Sequence, residues 1–151
     1  MSLYIVALSF FSRDMAIPRK CSILTLLFLS MILVGCTGES SSEWQRLNAV
    51  EFEEAIEEID DAYLLDTRTQ AEWENDGHIV NATLIPHDEI DLRVSELPED
   101  KDTTILLYCR SGNRSQTAAQ TLLDLGYTDV RDLETGIVGW KNAGYPVQYG
   151  P

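Results

Sequence analysis

The sequence predicts an α/β fold in which a parallel sheet is flanked by helices on both faces, and three observations carry that expectation. Short apolar runs at 62–66, 81–85, 104–108 and 129–133 have strand length. The segments between them place apolar residues at helical spacing, and strands alternating with helices at this separation build parallel crossovers. Finally, the run 104–108 stops at Cys109 and is followed by Arg110-Ser111-Gly112-Asn113-Arg114-Ser115, all polar or glycine, before a helix-forming segment begins at about Ser115.

Each element has its own signal. Residues 50–59 put Phe52, Ala55, Ile56 and Ile59 on one face and solvated glutamates on the other, a first amphipathic helix. Residues 62–66 read as a buried strand ending in Asp66-Thr67-Arg68. Thr69 is a good N-cap for a helix over 70–75, with Glu72 at the third position completing a capping box and Gly77 just past the end. The strand 81–85 is closed by Pro86. Asp88 is expected to cap a helix running to about Leu97, and 98–102 forms a turn before the strand 104–108. The helix from Ser115 to Leu125 presents Ala118, Leu122 and Leu125, and Gly126 stops it. A strand at 129–133 and a last helix at 136–143, ended by Gly144, complete the pattern. Trp140 reads as a core residue.

The Cys109 loop is the candidate site. A strand, a tight loop and a helix start let successive backbone N–H groups converge on one point, and the helix end adds partial positive charge there. With its sulfur at that point, Cys109 is expected to be a thiolate, its pKa lowered further by Arg110 and Arg114. A buried strand cysteine followed by an ordinary turn fits the same spacing. In sheets of this kind ligands bind beyond the carboxyl ends of strands, where Cys109 lies. Asp66 and Arg68, at the end of a neighbouring strand, are read either as an ion pair that fixes the loop or as loop support in which Arg68 touches substrate.

The first 35 residues are expected to be an export signal rather than part of the fold. Pro18-Arg19-Lys20 is a positive patch and 21–34 is almost continuously apolar, though shorter than the ~20 residues that span a bilayer. The compact segment 15–20 points to Met15 as the start of translation. Leu33-Val34-Gly35-Cys36 resembles the bacterial lipoprotein signal, in which the cysteine is lipidated. Residues 36–43 then form a polar tether, and the globular domain is expected over 44–150. On this reading the protein is anchored by Cys36 at the periplasmic face of a bacterial membrane, and Thr37, in place of an aspartate, points to the outer membrane. Of the three cysteines, Cys21, Cys36 and Cys109, the first leaves with the leader and the second carries lipid. Cys109 is then the mature chain's one free thiol, with no internal disulfide and no multi-cysteine metal site. The formal charge of the full chain is already −14, and losing Arg13, Arg19 and Lys20 with only Asp14 makes the domain more acidic. Nucleic acid is disfavoured as a partner.

The motifs Leu65-Asp66-Thr67-Arg68, Glu72-Trp73, Gly77-His78-Ile79, Ile85-Pro86, Tyr108-Cys109-Arg110-Ser111-Gly112-Asn113-Arg114-Ser115, Gly126-Tyr127 and Gly136-Ile137-Val138-Gly139-Trp140 occur in one order along the globular part. Together they resemble a single rhodanese domain. The resemblance implies a rhodanese-like α/β fold and a cysteine that carries sulfur as a persulfide, here Cys109, with 110–115 as its binding loop. It implies a sulfurtransferase of thiosulfate type, passing sulfur from a small-molecule donor to a thiol or cyanide, and calls for no cofactor or metal. His78 falls in a structural signature of that family, and His87 has no motif support. Two other readings stand beside it: a rhodanese-like sulfur carrier, redox sensor or binding module without turnover, and a dual-specificity-type phosphatase. The phosphatases need five residues between cysteine and arginine, whereas four separate Cys109 from Arg114.

Overall fold

The computed structural model describes residues 43–150. The leader, Cys21, Cys36 and most of the tether lie outside the described residues. Five strands form one sheet: β1 (Gln45–Leu47), β2 (Tyr63–Asp66), β3 (Thr83–Leu84), β4 (Ile105–Tyr108) and β5 (Val130–Leu133), in the order β1-β5-β4-β2-β3. Every neighbouring pair is parallel. The chain leaves β4 for β5 on one side and β2 for β3 on the other, so the loops at the carboxyl ends of β4 and β2 diverge and open a crevice.

The expected layers are present. One face of the sheet packs Leu65, Ile105, Leu107 and Val130 against Ala118, Ala119 and Leu122 of the helix Arg114–Asp124. The other packs Leu64, Leu106, Tyr108 and Leu133 against Phe52 and Ala55 of α1 (Ala49–Glu58) and Ile137 and Trp140 of the last helix (Gly136–Asn142). In chain order the remaining helices are α2 (Gln70–Asp76), α3 (Arg114–Asp124) and α4 (Gly136–Asn142). All four residues of β4 are fully buried, as befits a strand covered on both faces. Burial of each leucine there stabilises the fold by roughly 1.5–3 kcal/mol.

The caps explain where the helices begin. Thr69 and Glu72 form the expected capping box on α2. Asn48 and Glu51 form a second on α1, which starts one residue earlier than its apolar spacing suggests.

Two elements correct the sequence reading. The segment after Asp88 is not an α-helix: it makes two 3₁₀ turns, Ile90–Leu92 and Val94–Glu96, without a side-chain cap at either. Ile90 and Leu97 are buried while Leu92 and Val94 are exposed, so no single apolar stripe rewards a continuous helix. The edge strand β1 has no counterpart among the elements expected from the sequence. It is only three residues long and mostly exposed, so it lacks an apolar run and is held by its pairing with β5.

Candidate active site

Strand β4 delivers Cys109 to the carboxyl edge of the sheet at its centre, where the residue is only 1% exposed. The neighbouring strand end is stitched to it. Thr67 donates from both its N–H and its hydroxyl to the Tyr108 carbonyl, each at 2.9 Å. The Tyr108 hydroxyl in turn accepts from the Ile79 N–H at 3.1 Å, so the residue before the cysteine is clamped at both ends.

The loop then folds back over the sulfur. Gly112 has φ +83°, and its N–H donates to Cys109 Sγ at 3.1 Å. The Ser115 hydroxyl donates to the same sulfur at 3.4 Å. Asn113 makes no side-chain cap on α3, so the sulfur lies where a capping acceptor would be. Burial pushes the Cys109 pKa up, but the Ser115 hydroxyl and the N–H groups of Ser115, Ser111 and Gly112 more than offset it and hold the thiol below its ordinary value. A buried sulfur with converging donors is thus biased toward thiolate, the form that attacks another sulfur.

The outer side of the loop is fixed as firmly. Gln116 Nε2 donates to the Gly112 carbonyl at 2.6 Å, and Arg46 reaches the same oxygen at 3.4 Å and the Glu134 carbonyl at 3.2 Å. A Cβ on Gly112 would stand 1.8 Å from that Glu134 oxygen. Gly136, with φ +57°, lets the start of α4 approach from the other side, and there a Cβ would lie 2.6 Å from the Cys109 carbonyl oxygen. That approach allows the N–H groups of Ile137 and Val138 to cap the Cys109 and Arg110 carbonyls at 2.9 and 3.1 Å.

The candidate residues are distributed unequally around the sulfur. Ser111, Gly112 and Ser115 supply the donors, while Asn113 starts α3 and lines a neighbouring cavity of about 520 Å³ with Arg46, Gln116 and Glu134. Arg110 is exposed. Arg114 is held by Glu72 through two bonds of 2.6 and 2.8 Å, and Glu72 is pulled down to about 2, chiefly by the Arg114 guanidinium. The leading groups that lower the thiol's pKa are hydroxyl and backbone donors, while the Arg114 guanidinium, held by a carboxylate, still senses the Cys109 charge.

Asp66 and Arg68 form a buried ion pair at 2.6 Å, and Arg68 also donates to the Gly77 carbonyl at 2.7 Å. Both are fully buried, which supports the structural role over substrate contact. His78 is buried and stacks on Trp73 at 3.4 Å, with its Nε2 facing Gln148, and burial pushes its pKa down. Trp140 lies in the core, its indole N–H bonded to the Pro146 carbonyl.

Sequence reasoning missed Arg46 and Asp132, and it read Glu72 as a cap and part of a motif but not as the partner of Arg114. The first two lie on strands β1 and β5, far from Cys109 in sequence. Among the described residues no group of histidine, cysteine, aspartate and glutamate side chains is arranged to hold a metal.

A nucleophilic cysteine in a small cradle of donors at the end of the central strand of a five-stranded parallel sheet defines the class, and the chain belongs to the rhodanese family. The family's rhodanese-like domain model matches residues 48–143. The chain is similar to a sulfurtransferase of Allochromatium vinosum, 39% identical over 92 residues that cover 61% of this chain and 83% of that protein. Its fold superposes on the crystal structure of a rhodanese-related protein from Thermoplasma volcanium with a TM-score of 0.62 and 32% identity, covering 71% of this chain and 100% of that one. It also resembles the thiosulfate sulfurtransferase of Pseudomonas aeruginosa, with a TM-score of 0.64 and 30% identity over 72% of this chain and 21% of that one. Other curated relatives are longer, and the chain spans 49% of one and 27% of another. Membership of this family supports sulfur transfer in general.

Proposed function

We propose that the protein is a thiosulfate-type sulfurtransferase working through a persulfide on Cys109. The observation that carries this reading is the buried sulfur held by the Gly112 N–H and the Ser115 hydroxyl, with its pKa below the ordinary thiol value. The Cys109 thiolate attacks the outer sulfur of the donor. A new S–S bond forms as the donor's own S–S bond breaks, and sulfite leaves with the electron pair of that bond. The terminal sulfur of the persulfide then carries the negative charge. Loop donors aimed at that anion stabilise it without reorganisation, the way oxyanion holes work. In the second half-reaction an acceptor thiolate or cyanide attacks the terminal sulfur, and the Cys109 thiolate departs as the leaving group.

Similarity to a thiosulfate sulfurtransferase supports the choice of donor. The proposal includes export and lipid anchorage through Cys36 at the periplasmic face of a membrane. It rests on the leader pattern alone.

The test is mass spectrometry of the purified protein after exposure to thiosulfate. Wild type gains one sulfur on Cys109 and releases sulfite continuously when cyanide is added, and Cys109→Ser does neither. Absence of both the added sulfur and sulfite release in wild type overturns the reading. A Cys109 persulfide without turnover identifies the sulfur-carrier alternative. For the anchor, Cys36→Ser moves the protein from the membrane fraction to the soluble fraction if the proposal holds.

A further inference from the structure

Asp132 is a fully buried charge on the carboxyl half of β5. Strand alternation places it on the same face as Val130, the face that α3 covers, so its side chain is directed at the first turn of that helix. Its register partner on β1 is Arg46, whose Nε donates to Asp132 Oδ2 at 3.2 Å. The other oxygen, Oδ1, is buried and has no hydrogen-bond partner. The carboxylate lies against the side chain of Ser115, which is itself fully buried and whose hydroxyl is bonded to Cys109 Sγ.

A serine hydroxyl has one hydrogen to donate. The Cys109 sulfur and the bare carboxylate oxygen are rival acceptors for it, and both are most demanding when ionised. We propose that Asp132 is a positioning residue for the Cys109 nucleophile: its free oxygen competes with the sulfur for the Ser115 hydrogen, and Arg46 biases the contest by drawing the carboxylate toward β1.

The groups facing Asp132 support that assignment. Arg46 from β1 and Ser115 from α3 favour its charged form, while burial and Glu134 at the end of β5 oppose it. Arg46 also holds the carbonyls of Gly112 and Glu134, so one guanidinium ties the edge strand, the cysteine loop and the buried acid together. A charge left with one free oxygen in an apolar layer is costly unless it is compensated.

The inference rests on Cys109 being the nucleophile, yet its test needs no sulfur donor and so fails independently of the proposed reaction. The readout is the rate of Cys109 alkylation by iodoacetamide against pH, together with thiolate absorbance. In Asp132→Asn the Arg46 guanidinium keeps the amide oxygen, and the amide NH₂ donates to Ser115. The hydroxyl is then committed to sulfur, and alkylation below the midpoint is expected to rise about 3- to 10-fold, up to one pKa unit. Arg46→Gln frees the carboxylate to take the Ser115 hydrogen, and alkylation is expected to fall by a similar factor, more than in Arg46→Lys. Shifts of opposite sign support the proposal, because a merely structural role would not produce them. An unchanged or slower rate in folded Asp132→Asn overturns it. Should that variant fail to fold, Arg46→Gln decides, and a rate no lower than that of Arg46→Lys overturns it.

Discussion

The reactivity of Cys109 depends on a small number of donors, and each has a separate consequence. The Ser115 hydroxyl is the leading group that lowers the thiol's pKa against burial. Hydrogen bonds to charged groups are typically worth about 1.5–3 kcal/mol, so Ser115→Ala is expected to raise the Cys109 pKa by about one unit or more. A thiolate absorbance titration checks this, and a curve identical to wild type would assign the depression to backbone donors alone. Gly112→Ala tests the backbone itself. Positive φ and the 1.8 Å approach to the Glu134 carbonyl leave no room for a Cβ, so the loop must open. The variant should retain the sheet, seen by circular dichroism, while losing most persulfide formation. The cysteine and its donor loop were legible from residue type and order. The rivalry between Cys109 and Asp132 was not, because no local pattern shows that Asp132 and Ser115 meet.

Among the secondary-structure elements, α2 and α3 are joined at their N-termini by the Glu72–Arg114 pair. Glu72 serves twice, as the third residue of the α2 capping box and as the bidentate partner of Arg114. Its folded pKa of about 2 lies below its ordinary value of 4.5, so the unfolded chain binds its proton at higher pH. The pair's stabilisation is therefore present above about pH 4.5 and is lost as the pH falls toward 2. Both side chains are partly solvated, so solvent screening limits the pair to roughly 1 kcal/mol. Urea unfolding of wild type and Glu72→Gln should show about that difference at pH 7, narrowing steadily below pH 4.5. A difference unchanged at pH 3 would refute the assignment. The capping box on α2 was readable because its residues are three apart. The ion pair was hidden because its partners are separated by 42 positions. The segment 88–97 misled for a related reason: Asp88 looks like a cap, but only packing reveals that its apolar residues point to different sides.

The molecule as a whole combines a fully buried central strand with a strongly acidic composition. Leu107 is fully buried in β4 within the α3-side core. Leu107→Ala should cost about 2–5 kcal/mol, measured as a lower urea midpoint. Loss of much less would mean that the sheet collapses readily around the cavity. The net charge of −14 repels anions, and the Arg114 charge is already matched by Glu72. Turnover with thiosulfate is therefore expected to rise with ionic strength as that repulsion is screened, while an uncharged sulfur donor should show little dependence. A falling rate would instead indicate attraction at the loop, of which Arg110 is an exposed cation. The sequence by itself determined the parallel α/β architecture and the cysteine loop, because apolar periodicity and strand-loop-helix punctuation are local properties of the chain. Only the tertiary structure decided which distant side chains brace the loop around the sulfur. Arg46, Glu72 and Asp132 reach the loop across three other elements, and side-chain hydrogen bonds act over a few ångströms of space whatever the distance along the chain.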